Sequence, residues 1–218
     1  MRRREFIKLL AGAAAWPLSA RAQQAAMPIV GLVNIRSADG SARHAAAFRK
    51  GLNETGTVEG QDVMVEYHWL DGHYDRLPAV MADLVRRRMA AIATPGFSAG
   101  AQAAKAATTT IPIVFGVGED PVRLGLVASL ARPGGNATGI HSVSQEVMAK
   151  RLGLFHDLVP KASRIAVLLN PANQPIAEAM LRDMPEAARA IGLQIQVLKA
   201  STSLEIEAAF ATLVRDRA

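Results

Sequence analysis

The decapeptide GVGEDPVRLG, residues 116–125, sets two neighbouring carboxylates, Glu119 and Asp120, between the apolar run IPIVF and Pro121. Acids at the end of a buried strand suit three kinds of chemistry: a catalytic pair, part of a phosphate loop, or one wall of a ligand pocket. A catalytic pair is disfavoured because adjacent residues point their side chains apart, and no base or nucleophile joins them. As pocket wall, Glu119 or Asp120 would accept a ligand ammonium or hydroxyl. The alternative is a solvated turn in which Pro121 fixes Asp120.

Two other stretches carry groups of the same use. Gly96-Phe97-Ser98 opens a helix, so its backbone N–H groups and the Ser98 hydroxyl suit a carboxylate or a phosphate; Ser98 is equally well read as a plain N-cap. Asn170, in NPANQP, can hydrogen-bond a polar ligand, and Asn-Pro is also a common loop starter. The octapeptide HWLDGHYD, His68–Asp75, gathers two imidazoles and two carboxylates in metal-ligand range, against the simpler reading of a polar Asp-Gly turn.

Several chemistries lack their motif. GVGEDP matches only the first half of a dinucleotide fingerprint, Pro121 standing where the third glycine belongs. There is no GxxxxGK[ST] loop and no GxSxG elbow. The chain has no cysteine, which removes disulfides, thiol chemistry and a lipid-anchored cysteine. No cofactor and no metal is expected.

The elements that must position these residues alternate. Strand-like runs at 28–35, 62–69, 89–94 and 111–117 are separated by helical patterns at 41–56, 74–88 and 98–108, which predicts a parallel, doubly wound α/β sheet. In such sheets ligands bind beyond the carboxyl ends of the strands, where RSADGSA (Arg36–Ala42), TPGFSAG (Thr94–Gly100) and the Glu119 loop fall. LARPGGNATGI, Leu130–Ile140, reads as Pro/Gly-rich punctuation between two units, and Asn136-Ala137-Thr138 as a turn, although it matches a glycosylation sequon. A helix over about 144–158, an apolar strand at 164–171, a long helix, a strand at 193–200 and a helix from Ser203 follow. Two strands with three helices leave sheet edges unpaired, so the second unit is expected to be incomplete and the chain to be part of a longer protein.

The 218 residues carry a formal charge of +6, but five basic residues against Glu5 put +4 of it in the first 22 residues. The remaining +2 is too small to argue for a nucleic-acid partner. That start, MRRREFIKLLAGAAAWPLSARA, reads as an export signal of twin-arginine type with cleavage after Ala22. Its apolar run is too short to span a bilayer, so the mature chain is expected free in the periplasm.

GLNETGTVEGQDVMVEYHW, YDRLPAVMADLVRRR, IPIVFGVGEDPVRLGLVASLARPGGNATGI and RIAVLLNP together resemble the ABC transporter substrate-binding protein family, of the tryptophan/tyrosine-binding type. The likeness covers essentially the whole chain after the leader. It implies an α/β protein of two Rossmann-like lobes, a type I periplasmic binding protein whose second lobe is incomplete. The expected lobes are residues 28–139 and 140–218, with a hinge at Gly134–Gly139 and a ligand cleft between them. The implied partners are a small-molecule ligand, possibilities centring on an amino acid or related acid, and a membrane permease with its ATPase; the chain itself is expected to be a monomer. Within the cleft, Ser37 and Ser98 are expected to hold a ligand carboxylate with Gly96 and Gly118 beside them, and Glu119 or Asp120 an ammonium. Phe97 would pack on the apolar part and Asn170 would reach in from the second lobe. An exported enzyme acting on a small acid in the same cleft is the competing expectation.

Overall fold

The computed structural model describes residues 27–142 and 147–216; the expected leader and its cleavage point lie outside the described residues. Strands β1 (Ile29–Asn34), β2 (Met64–Trp69), β3 (Ala91–Thr94), β4 (Ile113–Val117) and β5 (Ala137–His141) form one sheet, all neighbours parallel, in the order β2-β1-β3-β4-β5. Helices α1 (Ala38–Glu54), α2 (Leu77–Arg86, entered through a 3-10 turn at Tyr74–Arg76) and α3 (Ser98–Ala107) make the crossovers.

The period-two alternation of each strand divides the core. Val33, Ile92, Ile113 and Phe115 point to one face and pack against Met81 and Leu84 of α2 and Ala101 of α3. Leu32, Val65 and Ala93 point to the other, where Phe48 and Leu52 of α1 cover them. The α1 cover does not extend across the sheet: Val114 and Ile140 stay 47% and 77% exposed.

The expected punctuation and hinge at residues 130–140 is corrected here. Ala137–His141 is a fifth strand, paired with β4 from Ile113↔Ala137 to Val117↔His141, so the first sheet continues past the expected lobe boundary at 139. Gly139 sits within that ladder, and a Cβ there would lie 2.0 Å from the Phe115 carbonyl oxygen. The glycine therefore serves a close backbone approach between strands rather than a swivel. Asn136 locks the strand's entrance: its Nδ2 donates to the carbonyls of Thr108 and Ile111, and Lys105 Nζ donates to its Oδ1.

The second unit comprises α4 (Met148–Leu158), β6 (Arg164–Leu169), α5 (Gln174–Ala190), β7 (Gln194–Lys199) and α6 (Ser203–Asp216). Strands β6 and β7 pair in parallel as a separate two-stranded sheet. A small core of Leu152, Val167, Met184, Ala188 and Leu193 joins α4 and α5 to it. Helices α3 and α5 touch, bringing the two units together on the side where the first sheet's strands end.

Candidate functional site

The carboxyl ends of β3, β4 and β5 converge on one cavity of about 340 Å³, closed on its far side by Ile176 from the first turn of α5. Its floor is built from the β3–α3 turn, where Gly96 adopts φ +66°, and from the end of β4. Glycines at 96 and 116 let these two segments run close together, since a Cβ on Gly116 would meet the Gly96 nitrogen at 3.1 Å.

Glu119 is the central group. It is only 6% exposed. Its Oε2 accepts from the Ser98 hydroxyl at 2.5 Å and from the Gly118 N–H at 3.2 Å. Its Oε1 is buried with no hydrogen-bond partner in the protein. An ionised carboxylate oxygen without a donor is costly to bury, so this atom is an acceptor waiting for one. A ligand ammonium, hydroxyl or N–H supplies what is missing. Among the described residues no Lys or Arg lines this cavity.

The neighbouring acid is engaged differently. Asp120 Oδ1 accepts from the Val122 N–H at 2.8 Å, an Asx turn that starts the loop after β4, and Pro121 beneath it is fully buried. Asp120 lines a second cavity of about 470 Å³, between the units, which shares Glu119 with the first. The walls of this larger cavity carry Arg123 from the first unit and Glu178, Arg182 and Asp183 from α5. Arg182 is held by its neighbour, donating from Nε to Asp183 Oδ1 at 2.9 Å, and that carboxylate raises the guanidinium pKa above its ordinary value.

Of the residues singled out in the sequence, Gly96, Ser98, Gly118 and Glu119 meet in one cavity, with Asp120 in the next. Three others lie elsewhere. Ser37 is the exposed N-cap of α1, its Oγ accepting from the Gly40 N–H. Phe97 is 2% exposed in the main core, edge-on to Tyr74, because the turn at Gly96 sends its ring under α3 against Gly100. It is core, not an apolar wall of the cleft. Asn170 lines neither cavity; its Oδ1 accepts from the Ala172 N–H and the Ser201 hydroxyl and so closes the turn after β6.

Ser98 also changes role. Its one hydroxyl hydrogen is directed at Glu119, so a ligand carboxylate would have to be met by backbone N–H groups of the α3 first turn, which carries no side-chain cap. The HWLDGHYD stretch runs from the end of β2 through a turn, with Asp71 and Gly72 at positive φ, into the 3-10 turn at Tyr74–Arg76. Among the described residues no group of three or more His, Cys, Asp or Glu side chains is placed to hold a metal ion.

Sequence reasoning missed Ile140, His141, Ser142 and Ile176, all of which line the smaller cavity. Ile140 and His141 arrive on β5 and Ser142 directly follows it, and the β-branched Thr138 and Ile140, alternating after the PGGN turn, were the available signal for that strand. Ile176 had no local signal, because only the packing of the second unit brings it there.

The family model described as ABC transporter substrate binding protein matches residues 29–218. The tyrosine-binding protein of Clostridioides difficile (strain R20291) is 29% identical over 170 residues, covering 77% of this chain and 47% of that relative. A solved conserved domain protein from Vibrio cholerae O1 is 26% identical with a TM-score of 0.73, over 86% of this chain and 62% of that one. The ABC domain from Streptococcus pneumonia, solved in complex with L-Trp, shares the fold at a TM-score of 0.69 and 20% identity, over 85% of this chain and 61% of that one. The chain thus spans about half the length of the curated relative it matches.

Proposed function

Because this chain belongs to the family of ABC transporter substrate binding proteins, with the type I periplasmic binding protein fold, we propose that it captures a small solute for an ABC-type importer. One observation carries the reading at the level of atoms: Glu119 is buried at the meeting of two cavities, with Oε2 satisfied internally and Oε1 unpartnered. The solute is an amino acid or a related acid. Its ammonium donates to Glu119 Oε1, and its carboxylate lies against the N–H groups opening α3, near Gly96 and Gly118.

Capture needs no bond to be made or broken. Approach of the second unit, led by Ile176, would cover the bound solute and exclude water, which strengthens the ammonium–carboxylate interaction. The loaded form then docks on a membrane permease served by its own ATPase. Export through the twin-arginine-type leader, with cleavage after Ala22, would put the chain in the periplasm as a monomer facing that permease.

A thermal-shift screen of the twenty amino acids, followed by calorimetric titration of the hits, tests the reading. A saturable, stoichiometric ligand whose binding is lost in Glu119→Gln is the expected result. Turnover of that ligand would instead favour an enzyme, and a ligand indifferent to Glu119→Gln would remove the site.

A further inference from the structure

The two cavities are compartments of one cleft. They share Glu119 on the first unit, and on the second they divide between the consecutive residues Pro175 and Ile176. An amino acid with its ammonium at Glu119 and its carboxylate at the α3 N-terminus fills the smaller compartment with its head, and its side chain runs into the larger one. The lining of that compartment therefore reports on the side chain.

The lining contains no Phe, Tyr or Trp. Phe97, near the carboxyl end of β3, is committed to the core, packed edge-on to Tyr74. A stacking platform for an aromatic side chain is absent from the described part of the cleft. What lines it instead is a mixture of apolar surface, from Leu124, Met148 and Met184, and charge. Asp120, Glu178 and Asp183 stand against Arg123 and Arg182, and Asp183 is already occupied by Arg182. Glu178 is exposed on the wall of α5, where its charge acts on the Arg182 guanidinium, and Asp120 gives one oxygen to its own turn. With Glu119, the acids outnumber the bases among the described residues that line the two cavities.

We infer that the ligand is an amino acid with a long, cationic side chain, its methylene stem against Leu124, Met148 and Met184 and its terminal cation between Asp120 and Glu178. This rests on the capture reading above and adds the substrate class to it. A terminal ammonium or guanidinium bridges the two acids across the unit boundary, which an uncharged side chain cannot do.

The test is calorimetric titration of the 218-residue chain with L-lysine, L-arginine, L-norleucine, L-tyrosine and L-tryptophan. Norleucine is lysine with the terminal ammonium replaced by hydrogen, so it isolates the cation. Lysine or arginine should bind at least about tenfold more tightly than norleucine, the scale of one charge-assisted hydrogen bond. Glu178→Gln, on an exposed helix face where folding is not at stake, should shrink that preference, and Asp120→Asn, which retains the turn's acceptor, should do the same. Tyrosine, tryptophan or norleucine binding as tightly as lysine through Glu119 would overturn the cationic side chain and leave the capture reading standing. Failure of lysine and arginine to bind would likewise overturn the cationic side chain alone, whereas binding unaffected by Glu119→Gln would overturn both.

Discussion

Ser98 Oγ donates to Glu119 Oε2 at 2.5 Å across 21 residues of sequence, joining the first turn of α3 to the end of β4 inside the cleft. The bond leaves the second carboxylate oxygen buried without a hydrogen-bond partner, on a residue that lines both cavities. Ser98→Ala removes the donor but not the acid. The carboxylate, then held only by the Gly118 N–H, loses its fixed rotamer, and ligand affinity should fall about tenfold to a hundredfold, the range for a hydrogen bond to a charged group. Glu119→Gln should reduce affinity further. Titration of both variants beside the parent checks the ordering; equal losses would make Ser98 a direct contact rather than a positioning residue.

Gly139→Ala separates a strand from a hinge. In the ladder the new Cβ would lie 2.0 Å from the Phe115 carbonyl oxygen, a contact that no side-chain adjustment relieves. The β4–β5 pairing should open, lowering Tm and raising hydrogen exchange over residues 137–141. Unchanged exchange there would mean that the segment is a tolerant linker. Because β5 carries Ile140 and His141 to the cavity, ligand affinity should drop with it.

Gly31 and Leu84 predict a non-additive pair. A Cβ on Gly31 would sit 2.8 Å from Leu84 Cδ2, and Leu84 is fully buried under the sheet. Leu84→Ala should cost about 2–5 kcal/mol through the lost burial and the cavity left behind. Gly31→Ala should cost about 1–3 kcal/mol by overpacking. The double variant should be less destabilised than their sum, because the added methyl enters space the leucine has vacated. Urea unfolding of the four chains closes the cycle.

Glu66 gives a pH signature. The side-chain hydrogen bond from Arg87 holds the Glu66 carboxyl below its ordinary value of 4.5. A carboxyl with a depressed folded pKa contributes stability that is present above its unfolded pKa and is lost as pH falls through the folded one. Glu66→Gln should therefore lower the urea midpoint at neutral pH, and the gap should close as the pH drops below about 4.5. The gap should be small at high salt, since both partners reach solvent. A midpoint difference that is the same at every pH would show that the ion pair is not its source.

The first four strands, their helices and the two-unit division were legible because each rests on a local pattern: apolar runs of strand length, 3.6-residue periodicity, and glycine stops. β5 was not. Pro133, Gly134 and Gly135 dominate the reading of its neighbourhood, and the strand is held by an Asn136 staple and a glycine whose purpose appears only against Phe115. The candidate site divided the same way. Glu119, Ser98, Gly96 and Gly118 could be named because strand ends in a parallel sheet are where loops converge. Phe97 and Asn170 were misplaced because a loop residue's direction depends on which core or turn claims its side chain first.

By itself, the sequence determined the class of fold and the end of the sheet where the candidate-site loops converge, since hydrophobic periodicity and chain order suffice for both. It left two adjacent acids indistinguishable. The tertiary structure decided between them: backbone geometry at the end of β4 turns Glu119 inward under α3, where Ser98 and Gly118 secure one oxygen and strand the other. Asp120, one residue on, spends an oxygen on its own turn and faces the second unit. Neighbours in sequence point apart along an extended chain, and only the packed surroundings fix which of the two directions is buried.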